Sequence, residues 1–203
     1  LKMLKVGFVG YRGMVGSVLM QRMVEEGDFG GFEKQFFSSS QAGKNDKYAG
    51  GDTGILADAY NIDKLKQMDI IVTCQGESYT EKVYPELMAS GWKGYWIDVA
   101  STLRMEKDSI IVLDPVNRNV IDKGLKDGIK TFVGGNCTVS LMLMAIGALF
   151  KNNAVEWLSS MTYQASSGAG AKNMKELLAQ MNYLGQAAGK AVYDPASAIL
   201  DID

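Results

Sequence analysis

Short apolar runs that end at a glycine or a polar residue recur along the first two thirds of the chain. Runs of this length that are apolar on both faces are typical of buried strands in a parallel sheet. They predict strands at residues 5–9, 35–37, 69–73, 95–98, 109–113 and 131–133. The glycine-rich and polar passage at 42–54 is expected to be loop or short edge strands.

Segments with apolar residues at helical spacing lie between several of these runs. They predict helices at residues 14–26, 79–90 and 117–126, the first of which ends at Gly27. Strands that alternate with helices in this order indicate an α/β fold, a doubly wound and mainly parallel sheet with helices on both faces.

The pattern changes near Gly134, where we predict a boundary between a first domain, residues 1–134, and a second, residues 135–203. The second part predicts, in order, a long apolar helix at 138–150, an alternating strand at 155–165, a turn of small residues at 166–171 and an amphipathic helix at 172–190. This mixture indicates the start of a domain of the α+β class.

The composition excludes several classes of function. Hydrophobic residues make up 47% of the 203 residues and the formal net charge is −2. The chain can therefore bury a core but offers no basic surface to nucleic acid or to an anionic membrane. No apolar run is long enough to span a bilayer and no signal peptide is evident, so we expect a cytoplasmic protein. The two cysteines lack metal-ligand spacing and histidine is absent, so we expect no metal site.

Three glycines separate the first predicted strand from the first predicted helix. Gly10, Gly13 and Gly16 follow the spacing G-x-x-G-x-x-G, with Arg12 between the first two. Glycine permits a tight turn and a close approach to a pyrophosphate, and a helix N-terminus offers N–H donors to it. The segment predicts a dinucleotide-binding loop; the alternative is a tight strand-to-helix turn without a ligand.

The end of the second predicted strand indicates which dinucleotide is bound. NAD-specific folds place an acidic residue there for the ribose 2′-hydroxyl, whereas this chain has Ser38, Ser39, Ser40 and Gln41. Serine hydroxyls together with Arg12 suit a 2′-phosphate. We therefore expect NADP as the cofactor, with an ordinary serine-rich loop as the alternative.

Cys137 lies between a predicted strand and the predicted helix at 138–150. At a helix N-terminus the positive end of the helix dipole favours the thiolate, the form that attacks a carbonyl carbon. Cys74, in an apolar strand, is interpreted as a structural residue of the core. Cys137 is therefore the candidate nucleophile.

Several segments together resemble aspartate-semialdehyde dehydrogenase of the Gram-negative bacterial type. They are VGFVGYRGMVGS at 6–17, DIIVTCQG at 69–76, GYWID at 94–98, STLRM at 101–105, FVGGNCTVSLM at 132–142 and YQASSG at 163–168. The resemblance runs in order from Lys5 to the last residue. It implies a Rossmann-like NADP-binding domain followed by the start of a catalytic and dimerisation domain.

The resemblance also implies roles for individual residues. Cys137 matches the nucleophile, and Asn136 belongs to the same active-site motif. Gln164 matches a residue that holds the substrate and orients the acyl intermediate, and Arg104 one that binds the phosphate of the acyl phosphate. The residues that match the cofactor site are Arg12, Gly13, Met14, Val15, Ser38, Ser39, Ser40, Gln75, Gly76, Ser167 and Gly168.

The implied reaction is the reductive dephosphorylation of L-aspartyl 4-phosphate by NADPH, through a cysteine thioacyl intermediate, to L-aspartate 4-semialdehyde and phosphate. It would serve the synthesis of lysine through diaminopimelate and of methionine, threonine and isoleucine, in a homodimer. Members of the family are considerably longer. Their catalytic histidine, their carboxylate-binding arginine and the helix that closes their nucleotide domain cannot be mapped here. We therefore expect the 203 residues to be a truncated part that does not turn over at a normal rate alone.

Rival interpretations remain at this point. N-acetyl-glutamyl-phosphate reductase shares the fold and the thioacyl chemistry but normally has Gly-Cys-Tyr-Pro-Thr at the nucleophile, and glyceraldehyde-3-phosphate dehydrogenase has Ser-Cys-Thr-Thr. This chain has Asn-Cys-Thr at 136–138. From other classes, the missing histidine favours a catalytically silent NADP-binding fragment. A purely structural α/β domain would make the glycines and the thiol coincidental.

Overall fold

A computed structural model of the chain describes residues 2–193, with side chains up to residue 189. The chain divides into two compact units, Leu1–Leu158 and Ser159–Asp203. The domain boundary expected near Gly134 falls inside the first unit and stays a prediction.

The first unit is built on a seven-stranded sheet in which all neighbouring strands are parallel. Its strands are β1 (Leu4–Val9), β2 (Phe32–Ser38), β5 (Ala57–Asp58), β6 (Ile70–Thr73), β7 (Tyr95–Asp98), β8 (Ser109–Val112) and β9 (Thr131–Gly134). They lie in the order β5-β2-β1-β6-β7-β9-β8. The predicted fold class, a Rossmann-like doubly wound α/β sheet, is confirmed.

Helices and one hairpin complete the first unit. The helices are α1 (Met14–Glu25), α2 (Ile62–Leu65), α3 (Glu77–Ala89), α4 (Arg118–Lys126) and α5 (Cys137–Lys151), with a 3₁₀ helix at Asp28–Gly31. The polar passage at 42–54 contains the strands β3 (Asn45–Tyr48) and β4 (Gly51–Ile55), which pair with each other in an antiparallel hairpin. Of the two expectations for this passage, the short strands are therefore the correct one.

Two apolar layers cover the faces of the sheet, because successive side chains of a strand point to opposite faces. Phe8 and Phe36 pack with Met20 of α1 on one face. Val9 belongs to the cluster on the other face, which also contains Val83 of α3. Both layers hold the strands rigidly, so the loops at the carboxyl ends of the strands start from fixed positions.

The second unit contains a 3₁₀ helix at Ser166–Ala169 and the helix α6 (Ala171–Tyr193). The strand predicted at 155–165 is wrong: these residues form no regular element and almost all are exposed. An alternating pattern becomes a strand only when a neighbour completes its hydrogen-bond ladder, and none pairs with it in the described chain. Among residues 2–193, no helix is long and apolar enough to cross a membrane.

Candidate active site

The strand order reverses at the centre of the sheet, between β1 and β6. The chain moves from β1 outward to β2, and later returns to place β6 on the other side of β1. In open α/β sheets, ligands bind outside the carboxyl ends of the strands at such a switch point. Gly10, Ser38 and Cys74 stand at these ends, so the predicted cofactor loop lies where the topology places a ligand.

The turn from β1 to α1 depends on two glycines for its shape. Gly10 has φ +75°, and a Cβ there would lie 2.6 Å from the backbone of Cys74 and Gln75. A Cβ at Gly16 would lie 2.1 Å from the carbonyl oxygen of Gly10. The third glycine, Gly13, is the N-cap of α1, and no side chain caps this helix. The first turn of α1 therefore offers backbone N–H groups to a ligand.

An open cleft of about 410 Å³ lies beside this turn. It is lined by Gly10, Tyr11, Arg12, Gly13, Phe37, Ser38, Ser39, Cys74 and Gln75. Six residues expected at the cofactor site thus line one cleft. Met14 and Val15 begin α1 and are exposed, but they are outside this lining.

Arg12 reaches across the cleft to the serines at the end of β2. Its Nη2 atom donates to Ser38 Oγ at 3.0 Å and to Ser40 Oγ at 3.4 Å. On the other side, Gln75 Nε2 donates to Ser39 Oγ at 3.4 Å. The structure therefore brings together a cation and three hydroxyl groups, which is a donor set suited to a phosphate group.

A carboxylate from the β3–β4 hairpin also reaches Arg12, and no pattern in the sequence predicted it. Asp46 Oδ2 lies 3.4 Å from Arg12 Nη1 and accepts a hydrogen bond from the Tyr11 hydroxyl at 2.7 Å. The hydrogen bond from Tyr11 and one from the Lys47 backbone lower the pKa of Asp46, so it stays ionised. Burial first, and then the bond to Asp46, raise the pKa of Tyr11, which remains a donor.

Cys74 is partly buried beside the glycine turn. Its backbone N–H donates to the carbonyl of Val9 at 2.8 Å. Burial, and secondarily the negative charge of Asp98, raise the pKa of its thiol to about 11. Cys74 therefore lines the cleft with a thiol that stays protonated near neutral pH. This is consistent with its interpretation as a structural residue.

Cys137 is exposed and is the first residue of α5. The preceding residue, Asn136, is the N-cap: its Oδ1 atom accepts a hydrogen bond from the Val139 backbone N–H at 3.1 Å. The Cys137 Sγ atom lies 3.8 Å from Thr138 Oγ1. The thiol thus stands, exposed, in the first turn of a 15-residue helix.

Arg104 lies against the backbone that leads into Cys137. Its Nε atom donates to the carbonyl of Gly134 at 2.8 Å, and its Nη2 atom donates to the carbonyl of Gly135 at 3.2 Å. A third bond from Nη2 goes to the carbonyl of Val99 at 3.3 Å. A cation is therefore tied to the turn that precedes Cys137.

The remaining predicted site residues, Gln164, Ser167 and Gly168, belong to the second unit. The side chain of Gln164 lies against Gly168, where a Cβ would come within 2.1 Å of Gln164 Nε2. Ser167 is partly buried in the 3₁₀ helix. The structure thus brings Gln164 and Gly168 together within this unit.

Tyr11, Phe37, Cys74 and Asp46 contribute to the cleft or its rim and were missed as site residues in the sequence. Tyr11 and Phe37 adjoin predicted site residues, so their position beside Arg12 and Ser38 was a usable signal. Asp46 offered none, because its place beside Arg12 depends on how the hairpin folds back over β2.

Comparison with known proteins identifies the family of the chain. Residues 5–124 match the model of the semialdehyde dehydrogenase NAD-binding domain, and residues 146–201 match that of the semialdehyde dehydrogenase dimerisation domain. The NAD-binding match covers the glycine turn, the serines of β2 and Gln75.

Solved structures give the same family. Aspartate semialdehyde dehydrogenase from Francisella tularensis is 53% identical to this chain, with a TM-score of 0.86 over 91% of this chain and 50% of that one. Aspartate semialdehyde dehydrogenase II from Vibrio cholerae is 25% identical, with a TM-score of 0.71 over 96% of this chain and 54% of that one. This chain therefore spans about half the length of these relatives. The resemblance recognised in the sequence is confirmed, and the chain belongs to the semialdehyde dehydrogenase family.

Proposed function

We propose that the protein is an NADP-dependent aspartate-semialdehyde dehydrogenase that reduces L-aspartyl 4-phosphate through a thioester on Cys137. The observation that carries the proposal is the position of Cys137, exposed at the first residue of α5, with Arg104 bonded to the two carbonyls before Asn136. A nucleophile and an anion-binding cation on one turn suit a substrate whose leaving group is a phosphate.

In the first step the Cys137 thiolate attacks the acyl carbon, the C–S bond forms, and the bond from carbon to the phosphate oxygen breaks. Arg104 stabilises the departing phosphate. Backbone N–H groups at the start of α5 lie near the thiol and are the candidates to stabilise the oxyanion of the tetrahedral intermediate. Asn136 caps the helix and fixes the position of the thiol, and Gln164 holds the acyl group.

NADPH, when bound, supplies the hydride that reduces the thioester. Hydride addition gives the oxyanion of the thiohemiacetal on Cys137. Its C–S bond then breaks, which releases L-aspartate 4-semialdehyde and regenerates the Cys137 thiolate, and the consumed proton goes to the released phosphate. The balance is one acyl phosphate, one NADPH and one proton consumed, and one aldehyde, one phosphate and one NADP⁺ formed.

The glycine turn supports the cofactor part of the proposal, because Gly10 and Gly16 leave room for a pyrophosphate at the uncapped N-terminus of α1. Arg12 and the serine hydroxyls of Ser38 and Ser40 support NADP rather than NAD, since together they suit a 2′-phosphate. Ser39, Gln75, Met14, Val15, Ser167 and Gly168 complete the proposed contacts.

The biological setting follows from the reaction. The product would feed lysine synthesis through diaminopimelate and the synthesis of methionine, threonine and isoleucine. A reduced thiol is needed, so we expect a cytoplasmic enzyme. The match to a dimerisation domain and the exposed Leu177, Met181 and Leu184 on α6 support a homodimer. Sedimentation velocity tests this point.

The test of the proposal is acylation of Cys137. The protein is mixed with L-aspartyl 4-phosphate, quenched in acid and analysed by intact mass, with the Cys137→Ala variant as the matched control. We expect one aspartyl group on the original chain, none on the variant, and its loss when NADPH is added. Acylation by N-acetyl-glutamyl phosphate instead would assign the related reductase.

A catalytically silent NADP-binding fragment is the second candidate, favoured by the absence of histidine from these 203 residues. It predicts NADPH binding with no acylation of Cys137 by either acyl phosphate. The same experiment therefore separates the two candidates.

A further inference from the structure

The rim of the cofactor cleft contains a charge that the proposed NADP site does not need. The Asp46 carboxylate lies against Arg12, the one cation bonded to Ser38 and Ser40 in the described chain. A carboxylate beside a phosphate-binding arginine offsets part of its charge and repels a doubly charged phosphate.

The position of Asp46 is fixed by the hairpin and by Tyr11. The Asp46 backbone N–H donates to Thr53 Oγ1 at 3.0 Å, across the hairpin. The Asp46 Oδ1 atom accepts from the Lys47 N–H at 2.8 Å, and Oδ2 accepts from Tyr11 at 2.7 Å. Tyr11 itself is only 4% exposed and packs edge-on against Phe36, with ring centroids 5.0 Å apart. The carboxylate therefore cannot swing away from Arg12 without breaking several of these contacts.

The guanidinium of Arg12 is divided between two partners. Its Nη1 atom faces Asp46, while its Nη2 atom faces Ser38 and Ser40. Arg12 is about one third exposed, so solvent weakens the pair but does not remove its field. A 2′-phosphate bound at the serines would meet an arginine that already has an anionic partner.

We propose that Asp46 is a specificity-determining residue that lowers the preference for NADP over NAD by offsetting the charge of Arg12. The inference rests on the proposed cofactor site. NAD has a neutral 2′-hydroxyl in place of the 2′-phosphate, so the Asp46 carboxylate weakens NAD binding little. The carboxylate can also accept a hydrogen bond from this hydroxyl. The protein should therefore use both dinucleotides more evenly than Arg12 and the serines alone would permit.

The test compares NADPH and NADH binding to the full chain and to Asp46→Asn, by fluorescence titration. The asparagine keeps an oxygen for Tyr11 and Arg12 but removes the charge. We expect the Kd for NADPH to fall roughly three- to tenfold, and the Kd for NADH to stay within about twofold. Asp63→Asn, at a fully exposed position, is the matched control for net charge and should change neither.

If Asp46 only holds its neighbours in position, the preference for NADPH over NADH should be unchanged or smaller in Asp46→Asn. That result would overturn the inference. The salt dependence of the original protein gives a second reading that needs no variant. If Asp46 offsets the charge of Arg12, the ratio of NADPH affinity to NADH affinity should change less than about twofold between roughly 0.05 and 0.5 M salt. A steep loss of NADPH preference with salt would also overturn the inference.

Arg12→Ala separates this inference from the proposed function. If the original chain binds neither dinucleotide, or if Arg12→Ala leaves NADPH binding unchanged, the cofactor site itself is wrong and the inference falls with it. If Arg12→Ala weakens NADPH binding while Asp46→Asn leaves the ratio of affinities unchanged, the site stands and only the role of Asp46 is refuted.

Discussion

Two strand-to-helix turns at the carboxyl edge of the sheet have the same plan and different caps. Between β1 and α1 the N-cap is Gly13, which has no side chain to offer. Between β9 and α5 the N-cap is Asn136, whose side chain accepts the Val139 N–H at 3.1 Å. The first helix leaves its N-terminal donors to a ligand, whereas the second satisfies one of them itself and presents the thiol of Cys137.

The difference shows that a helix N-terminus acquires its function from the few residues around the cap. The positive end of the dipole is present in both turns. With Gly13 as the cap, the first N–H groups of α1 have no side-chain partner; with Asn136 as the cap, one N–H of α5 is bonded and the thiol of Cys137 is presented beside it. Cys74 supplies the contrast, since it also follows a parallel strand but precedes α3 without occupying its first turn.

The largest expected effect is the difference in reactivity between the two thiols. Burial and Asp98 raise the pKa of Cys74 to about 11, so at about pH 8 only roughly one molecule in a thousand carries this thiolate. The raised pKa lowers the thiolate fraction of Cys74 on the order of a hundredfold relative to an ordinary thiol. We therefore expect iodoacetamide to label the exposed Cys137 about a hundredfold faster, as measured by peptide mass mapping. Because the pKa of Cys74 is raised, its labelling should keep increasing about tenfold per pH unit until about pH 11.

Labelling in denaturant is the control for this comparison. In the unfolded chain both cysteines lose their surroundings, so their rates should converge to within a few fold. Equal rates in the folded protein would mean that burial does not suppress the reactivity of Cys74, and that exposure at the start of α5 gives Cys137 no advantage over it.

The next effect concerns the tightness of the β1–α1 turn. In Gly16→Ala the new Cβ would lie 2.1 Å from the Gly10 carbonyl oxygen and 2.7 Å from Tyr11 Cα, both backbone atoms that cannot rotate away. We expect the free energy of unfolding in urea to fall by about 2–3 kcal/mol. At the other turn, Gly135→Ala should lower the free energy of unfolding less. Its close contact is the Ser140 hydroxyl, a side-chain atom that can rotate away.

Gly30→Ala is the matched control for Gly16→Ala, because nothing lies within 4 Å of its new Cβ. Its free energy of unfolding should change by less than about 0.5 kcal/mol. A loss in Gly16→Ala as small as that of the control would show that the helix can move away, and that the turn is not held closed by the glycine.

The strands and helices on either side of these two turns could be predicted from the sequence, because they depend on local patterns. Val6 to Val9 and Ile70 to Val72 are apolar runs bounded by glycine or polar residues, and such runs have few alternatives to a buried parallel strand. Glycine spacing then located the first turn, and Cys137 before an apolar helix located the second.

Two features could not be predicted because they depend on partners distant in the sequence. Asp46 reaches Tyr11, 35 positions away, only after the hairpin has folded over β2. The alternating residues from Val155 onward carry a strand pattern, yet no neighbour in the described chain completes their ladder. Periodicity reports which face a segment would bury and does not report whether a partner is present.

A smaller effect should follow when the first turn is given the cap of the second. Gly13 has φ −66° and ψ 171°, which any residue adopts, and a Cβ there meets nothing closer than 3.4 Å. In Gly13→Asn the new side chain should bond an N–H of α1, so we expect NADPH affinity to weaken about tenfold while the stability rises by a few tenths of a kcal/mol.

Gly13→Ala adds a Cβ without an acceptor and is the control for that exchange. It should leave the Kd for NADPH within about threefold in the same titration. An Asn variant that binds as tightly as the Ala variant would mean that the N–H groups of α1 do not hold the cofactor.

The smallest effect is expected from removing the cap of the second turn. Asn136→Ala deletes the acceptor of the Val139 N–H, so we expect a loss of about 1 kcal/mol in urea unfolding. Asn136→Ser keeps an acceptor at the N-cap and should recover most of that stability. Alkylation of Cys137 should slow a few fold in the Ala variant, because fraying of the first turn of α5 weakens the dipole field at the thiol. If the Ser variant restores stability but not the alkylation rate, Asn136 acts on the thiol through its amide and not through the helix. That outcome would give the second turn a chemical role for its cap that the first turn lacks.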